Sequence, residues 1–308
     1  MSLRDPPGER TVGELLSFGV CNLDKPPGPT SHQVADWLKR LVNEAGTRTG
    51  DGEMLDRVAH TGTLDPKVTG SLPSLFGDAT RLAQVFARSD KEYIAVLELQ
   101  GPPPSDFEAT LAEFEGEIYQ KPPRKSAVQR QLRSRRIHDL DLLELDGRQA
   151  LLRIRCEAGT YIRKLCHDIG LALGTGAHMG DLRRSQTGQF DDSDLVTMEE
   201  FADALAFWTE DGDEQWIREV VAPAERALRS LPRLIIAPSA AREVAEGAPV
   251  YAPGVIDAEA APIDGTPVDE AALVACFTPN GSAVCFGRLV GDPDASAGTV
   301  LELERVLV

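Results

Sequence analysis

Cysteine is scarce and unpatterned in this chain of 308 residues. The five cysteines (Cys21, Cys156, Cys166, Cys276 and Cys285) are odd in number, widely spread and never spaced as C-x-x-C. That argues against a disulfide framework and a zinc knuckle, and their simplest reading is as small buried apolar residues. Long hydrophobic runs are missing as well: hydrophobic residues make up 42% of the chain, but no run of about 18 exists to cross a membrane. The opening MSLRDPPGER lacks the apolar core of a signal peptide, so a cytoplasmic location is expected. Lysine is the scarcest charged residue, with 7 Lys against 25 Arg, and 49 acidic residues bring the formal charge to −17. So acidic a chain should repel nucleic acid at ordinary salt, because phosphate affinity is built from Lys and Arg. The balance fits a protein adapted to molar salt, where the Debye length falls to about 3 Å and distant acids no longer oppose an anionic partner. Local charge then matters more than the total. Lys121, Arg124, Lys125, Arg130, Arg133, Arg135 and Arg136 form a basic run without an acidic residue. A charge run is ordinarily a solvated face, a reading that so acidic a chain weakens.

What the chain does contain is the stretch HTGTLDPKVTG, from His60 to Gly70. Gly62 and Gly70 let the backbone turn sharply, and Pro66 holds Asp65 out of the helical region. One carboxylate is thus presented on an ordered loop, although a lone L-D-P could equally be a turn in which Asp65 caps its own backbone. Upstream, FGVCNLDKPPGPTSHQVADWLKRLV reads as a strand, a Pro/Gly turn and a helix capped by Ser31, with Val34, Trp37, Leu38, Leu41 and Val42 on its buried stripe. Leu72 to Gln84 read as a helix, and KEYIAVLEL as a strand buried on most of both faces. Ser105 opens a capping-box pattern. ALLRIRC alternates as a strand, and Thr160 is placed to cap a helix carrying Ile162, Leu165 and Ile169 inward, which weakens at Gly170 and Gly174. Phe201, Phe207, Trp208 and Trp216 are expected to anchor helices in the acidic stretch 191–219. Beyond about Leu231, short strand-like runs separated by Gly and Pro have the signature of a small β-barrel.

Several of these stretches resemble the motifs of the TruB/dyskerin family of RNA pseudouridine synthases. HTGTLDPKVTG is similar to the family's catalytic-aspartate motif, Leu23-Asp24-Lys25-Pro26 to its L-D-K-P segment, and Lys91-Glu92-Tyr93 to its K-x-Y segment. KPPRKSA resembles K-P-P-x-x-S-A, GTYIR (159–163) resembles its third motif, and Leu182 in HMGDLRR matches a family leucine that packs against the base. Gln129 stands where relatives usually carry Lys, and His167 where they often carry an acid. The resemblance implies an α+β fold: a catalytic domain with a central mixed, mostly antiparallel sheet flanked by helices, plus a C-terminal PUA β-barrel. It divides the chain into an arm (1–19) packing on the PUA domain, the catalytic domain (20–230) and the RNA-binding PUA domain (231–308). Asp65 would be the catalytic carboxylate, Arg163 its counter-ion, and Tyr93 the ring that stacks on the target base and accepts a proton. Substrate contacts fall to His60, Lys25, Tyr161 and Leu182, with a turn-stabilising role as the other reading of His60. RNA contacts fall to Lys121, Arg124, Lys125, Arg130, Arg133 and Arg184.

The implied reaction isomerises a uridine in RNA to pseudouridine. It involves no redox change or energy input, so no cofactor and no metal are expected. A base inside a duplex is out of reach, so the target must be flipped. The segment after the second motif is short, which points to the archaeal and eukaryotic guide-RNA branch. Its partners would be box H/ACA guide RNA, rRNA and three accessory proteins: a small zinc-ribbon Nop-type protein, a Gar-type protein and a kink-turn-binding ribosomal-type protein. The alternatives are a stand-alone synthase acting on the TΨC loop of tRNA, at uridine 55, and a non-catalytic RNA-binding scaffold.

Overall fold

A computed structural model describes residues 3–308 except 51–53, 123–128, 130, 263–264, 266 and 269–271. The strands of the first part are β1 (Gly19–Lys25), β2 (Val58–His60), β3 (Thr69–Phe76), β4 (Lys91–Leu99), β5 (Gly116–Gln120), β6 (Arg133–Asp146), β7 (Gln149–Cys156), β8 (Ala177–Thr187) and β9 (Ala222–Pro223). They form one nine-stranded sheet in the order β5-β6-β7-β4-β8-β3-β1-β9, with β2 added beside β3. Among the described strands of this sheet, only the short β3–β8 pairing is parallel. The second part holds β10 (Arg233–Ile236), β11 (Val250–Tyr251), β12 (Val255–Glu259), β13 (Leu273–Phe277), β14 (Ala283–Leu289) and β15 (Thr299–Val306). These order as β11-β15-β14-β13-β10-β12 in a half-barrel sheet, with β10–β13 parallel. The architecture is therefore α+β, a mixed, mostly antiparallel sheet with helices and a smaller C-terminal barrel-like sheet.

Helices α1 (Val12–Ser17), α2 (Ser31–Thr49), α3 (Ala83–Phe86), α4 (Phe107–Ala112), α5 (Ile162–Ala172), α6 (Met198–Ala206), α7 (Gln215–Val220) and α8 (Pro238–Ala245) complete the fold. On α2, Val34, Leu38 and Val42 are buried while Trp37 is 36% exposed, so the apolar stripe is narrower than its sequence pattern. The true cap of α2 is Thr30, whose side chain accepts from Gln33 N while the Gln33 side chain accepts from Thr30 N. Ser31 is buried and used elsewhere. Leu72–Phe76 belong to β3, and only Gly77–Phe86 turn helically, first as a 3-10 segment. The apolar run is short because it fills a central strand, buried from Gly70 to Phe76. Tight helical spacing and a both-faces-buried strand are indistinguishable over so few residues. β4 buries Lys91, Ala95, Leu97 and Leu99, whereas Ile94, Val96 and Glu98 are half-exposed, so one of its faces is covered more fully than the other. Neither Ser105 nor Thr160 caps a helix: α4 starts after Asp106 and α5 after Tyr161, both without a side-chain cap. Phe201 and Trp208 are buried, but Phe207 and Trp216 stack on each other at the surface, with centroids 6.0 Å apart.

The two sheets share a core. Phe18, Val20, Leu75 and Phe86 pack in one cluster with Ala275, Phe277, Phe286 and Leu307. Arg4, Asp5 and Arg10 help tie in the N-terminal segment. Arg4 donates to Leu307 O (3.1 and 3.0 Å), and the Ser282 hydroxyl donates to Asp5 O at 3.2 Å. Arg10 forms a buried bidentate pair with Glu225 (2.9 and 2.6 Å), whose carboxylate also accepts from Ala283 N at 3.2 Å. All five cysteines are buried free thiols.

Candidate active site

Asp65 lies on the loop between β2 and β3, and its position follows from what surrounds it. Leu64 and Val68 are buried pegs on either side, and Val68 N donates to Asp65 O at 2.9 Å to close a turn. The Ser31 hydroxyl accepts from Leu64 N (2.9 Å) and donates to Leu64 O (3.2 Å), clamping the residue just before Asp65. Lys25, wholly buried, donates to Pro26 O (2.9 Å), Pro66 O (3.0 Å) and Val68 O (2.9 Å). A lysine carrying three carbonyl bonds inside the protein faces no substrate, which corrects its expected role: Lys25 braces the loop. Burial lowers its pKa.

Arg184 is also reassigned. It is 1% exposed and donates to Ser71 O (2.8 Å) and Gly62 O (3.1 Å). A guanidinium so enclosed cannot reach a phosphate; it holds both ends of the aspartate loop against the sheet. Gly70 permits this closeness: its φ is +97° and a Cβ there would fall 2.2 Å from Arg184 O.

The Asp65 carboxylate meets the Arg163 guanidinium in an ion pair, both side chains just over half exposed. Arg163 extends from the first turn of α5. Tyr93, third residue of β4, lies opposite Arg184 on β8, and Ala95 lies opposite Leu182. Tyr93 and Leu182 thus share one face as diagonal neighbours, half-buried at the junction of the two core clusters of the main domain. Burial raises the Tyr93 phenol above its ordinary value, a push that outweighs the opposing pull of Arg184. His60 ends β2 with a buried Nδ1 that has no partner among the described residues; burial first, then Arg184 and His32, lower its pKa. Tyr161 sits half-buried at the start of α5, its backbone clasped by the Gln120 side chain. Asp65 and Arg163 are in contact, and Tyr93 and Leu182 are neighbours one strand apart.

Of the expected RNA-binding residues, Lys121 is exposed and Arg133 half-exposed, while Arg124, Lys125 and Arg130 lie outside the described residues. Sequence reading missed Ser31 and Gln120 as parts of the site. Ser31 lies 33 residues from Leu64 and Gln120 lies 41 from Tyr161, separations that no local pattern reports.

The chain matches the TruB family pseudouridylate synthase N-terminal domain over residues 53–106 and 101–162, and the tRNA pseudouridylate synthase B C-terminal domain over 163–229. Residues 5–35 match the DKCLD domain. A "Probable tRNA pseudouridine synthase B" of Haloarcula marismortui is 62% identical over 309 residues, covering 100% of this chain and 94% of the relative. Among solved structures, a chain of a Cbf5-Nop10-Gar1 complex superposes with a TM-score of 0.88 at 40% identity, covering 100% of this chain and 90% of the other. A chain of an H/ACA RNP bound to a substrate RNA containing 2′-deoxyuridine gives 0.87 at 38% identity, with 99% and 90% covered.

Proposed function

The chain belongs to the TruB/dyskerin family of RNA pseudouridine synthases, and on that footing we propose that it is the catalytic subunit of a guide-RNA particle. In that particle, Asp65 isomerises selected rRNA uridines in the cytoplasm. The observation that carries the reading is the Asp65–Arg163 pair on a loop braced by Lys25, Ser31 and Arg184.

The chemistry follows from the residues present. The target nucleotide must leave its stack, and Tyr93 and Leu182 offer a ring and an apolar wall to sandwich it. Arg163 pairs with the Asp65 carboxylate and orients it. The carboxylate then acts on the ribose, either as nucleophile at C1′ or as base at C2′. The glycosidic bond breaks, uracil rotates in place and a C–C bond forms at the same sugar carbon. Tyr93 enters as a neutral phenol, so it accepts a proton only by passing its own on. His60, kept neutral by burial, lies beside the same loop and assists flipping.

The reading includes an arm over 1–19, a catalytic domain over 20–230 and a PUA domain over 231–308 that holds guide RNA. Because similar chains occur in complexes with Nop10 and Gar1 and in an H/ACA RNP, the expected partners are guide RNA and proteins of those kinds. The relative's name favours a second activity, guide-independent modification of tRNA. Asp65→Asn should keep the fold and RNA binding while abolishing pseudouridine formation, scored by chemical mapping; retained activity would end the assignment. Assaying the purified protein on tRNA and on rRNA fragments, with and without guide RNA and accessory proteins, separates the two substrate classes.

A further inference from the structure

The ion pair at the centre of the site does little to hold itself in place. Both partners are more than half exposed, and exposed pairs of this kind contribute little net free energy. The position of Arg163 must come from the backbone that carries it. That backbone starts at Tyr161, the N-cap of α5, which has no side-chain cap of its own. Helix starts leave N–H groups without internal partners, and here the partner comes from a distant strand. Gln120, the last residue of edge strand β5, is 2% exposed. Its Oε1 accepts from Tyr161 N at 2.9 Å, and its Nε2 donates to Tyr161 O at 3.2 Å. Tyr161 O also accepts from Lys164 N and Leu165 N, both at 3.0 Å, so the carboxamide grips the same group that closes the first helical turn. The turn before α5 is fixed to the neighbouring strand: Glu157 N donates to Arg136 O at 2.8 Å, and Arg136 N donates to the Glu157 carboxylate at 3.1 Å.

We infer that Gln120 is a positioning residue for pseudouridine formation: its buried carboxamide sets the start of α5 and thereby holds Arg163 in register with Asp65. Gln120 touches neither the substrate nor the reacting atoms. Its effect passes through two backbone bonds to Tyr161 and two residues along the helix to Arg163. The inference rests on the Asp65–Arg163 reading above. Lys121, the first residue of the basic run, follows Gln120 directly in the chain, so the residue that anchors Arg163 adjoins the segment assigned to RNA contact.

The test is a double-mutant cycle on the assembled enzyme, read as the single-turnover rate with pre-bound RNA. Gln120→Ala should slow the step by about 10- to 100-fold, the scale of a misplacement near 1 Å, with RNA affinity nearly unchanged. In an Arg163→Ala background, Gln120→Ala should cost almost nothing further, because the group it positions is gone. Gln120→Glu keeps the acceptor for Tyr161 N–H but loses the donor, and should fall between wild type and Gln120→Ala; it carries the same cycle if the alanine variant fails to fold. An equal loss in both backgrounds would show a general structural role and overturn the inference, as would a wild-type rate in both Gln120 variants. A wild-type rate in Arg163→Ala alone, or activity in Asp65→Asn, would instead break the catalytic reading beneath it.

Discussion

Lys25 and Arg184 show how residue type alone can mislead about a side chain's task. Both are cations in family motifs packed around the Asp65 loop, and a cation in an RNA enzyme invites a phosphate partner. Each instead spends its donors on backbone carbonyls around Asp65. A buried charge is costly unless its donors are satisfied, and satisfying them with loop carbonyls turns that requirement into rigidity. Tyr93 makes the complementary point for an acid. Its folded-state pKa is raised above the ordinary value of 10.0 by burial. The stabilisation that this gives is therefore fully present below about pH 10 and is lost as pH climbs through the raised folded value. In a titration followed by tyrosinate absorbance, the increment missing from Tyr93→Phe should develop only above pH 10. An increment at lower pH would mean that burial does not raise the phenol.

At the scale of elements, α5 joins the site to the sheet. Its inner residues Ile162, Leu165 and Ile169 are buried at the spacing visible in the sequence. Gly170, by contrast, reads in sequence as a sign of helix weakening and proves to be a point of contact. A Cβ at Gly170 would lie 2.0 Å from Ala177 N and 2.6 Å from Ala177 Cβ, so the absent side chain lets α5 press onto the start of β8. Alanine is better than glycine in a free helix by about 1 kcal/mol. Gly170→Ala should nonetheless destabilise the protein by about 1–3 kcal/mol in denaturant unfolding, the usual cost of overpacking. A gain in stability would refute the close-contact account. The helix expected over Leu72–Gln84 begins only at Gly77: Leu72–Phe76 lie in β3, buried on both faces, and a short run of apolar residues carries no period that separates strand from helix.

At the scale of the whole molecule, the charge of −17 coexists with a fold whose two sheets share an apolar core. The Arg10–Glu225 pair joins the N-terminal segment to that junction. Self-repulsion among so many acids works against the compact state and fades as salt shortens the Debye length to about 3 Å near molar concentration. The unfolding midpoint and the rate of RNA modification should therefore both rise from low salt to molar KCl, and a decline in both would overturn the reading as a salt-adapted protein. The family match to a Haloarcula marismortui relative over the full chain accords with that expectation.

By itself the sequence carried the family motifs and the fold class. The Asp65 loop, Tyr93, Arg163 and Leu182 lie in short contiguous motifs, and strand alternation and helix periodicity are properties of neighbouring residues. Only the tertiary structure decided which side chains meet. Ser31 reaches Leu64, Gln120 reaches Tyr161 and Lys25 reaches Val68 across separations of 33, 41 and 43 residues. It also decided which cations face inward. Burial and hydrogen-bond partnership depend on how sheets and helices pack, and that information is absent from any local stretch of the chain.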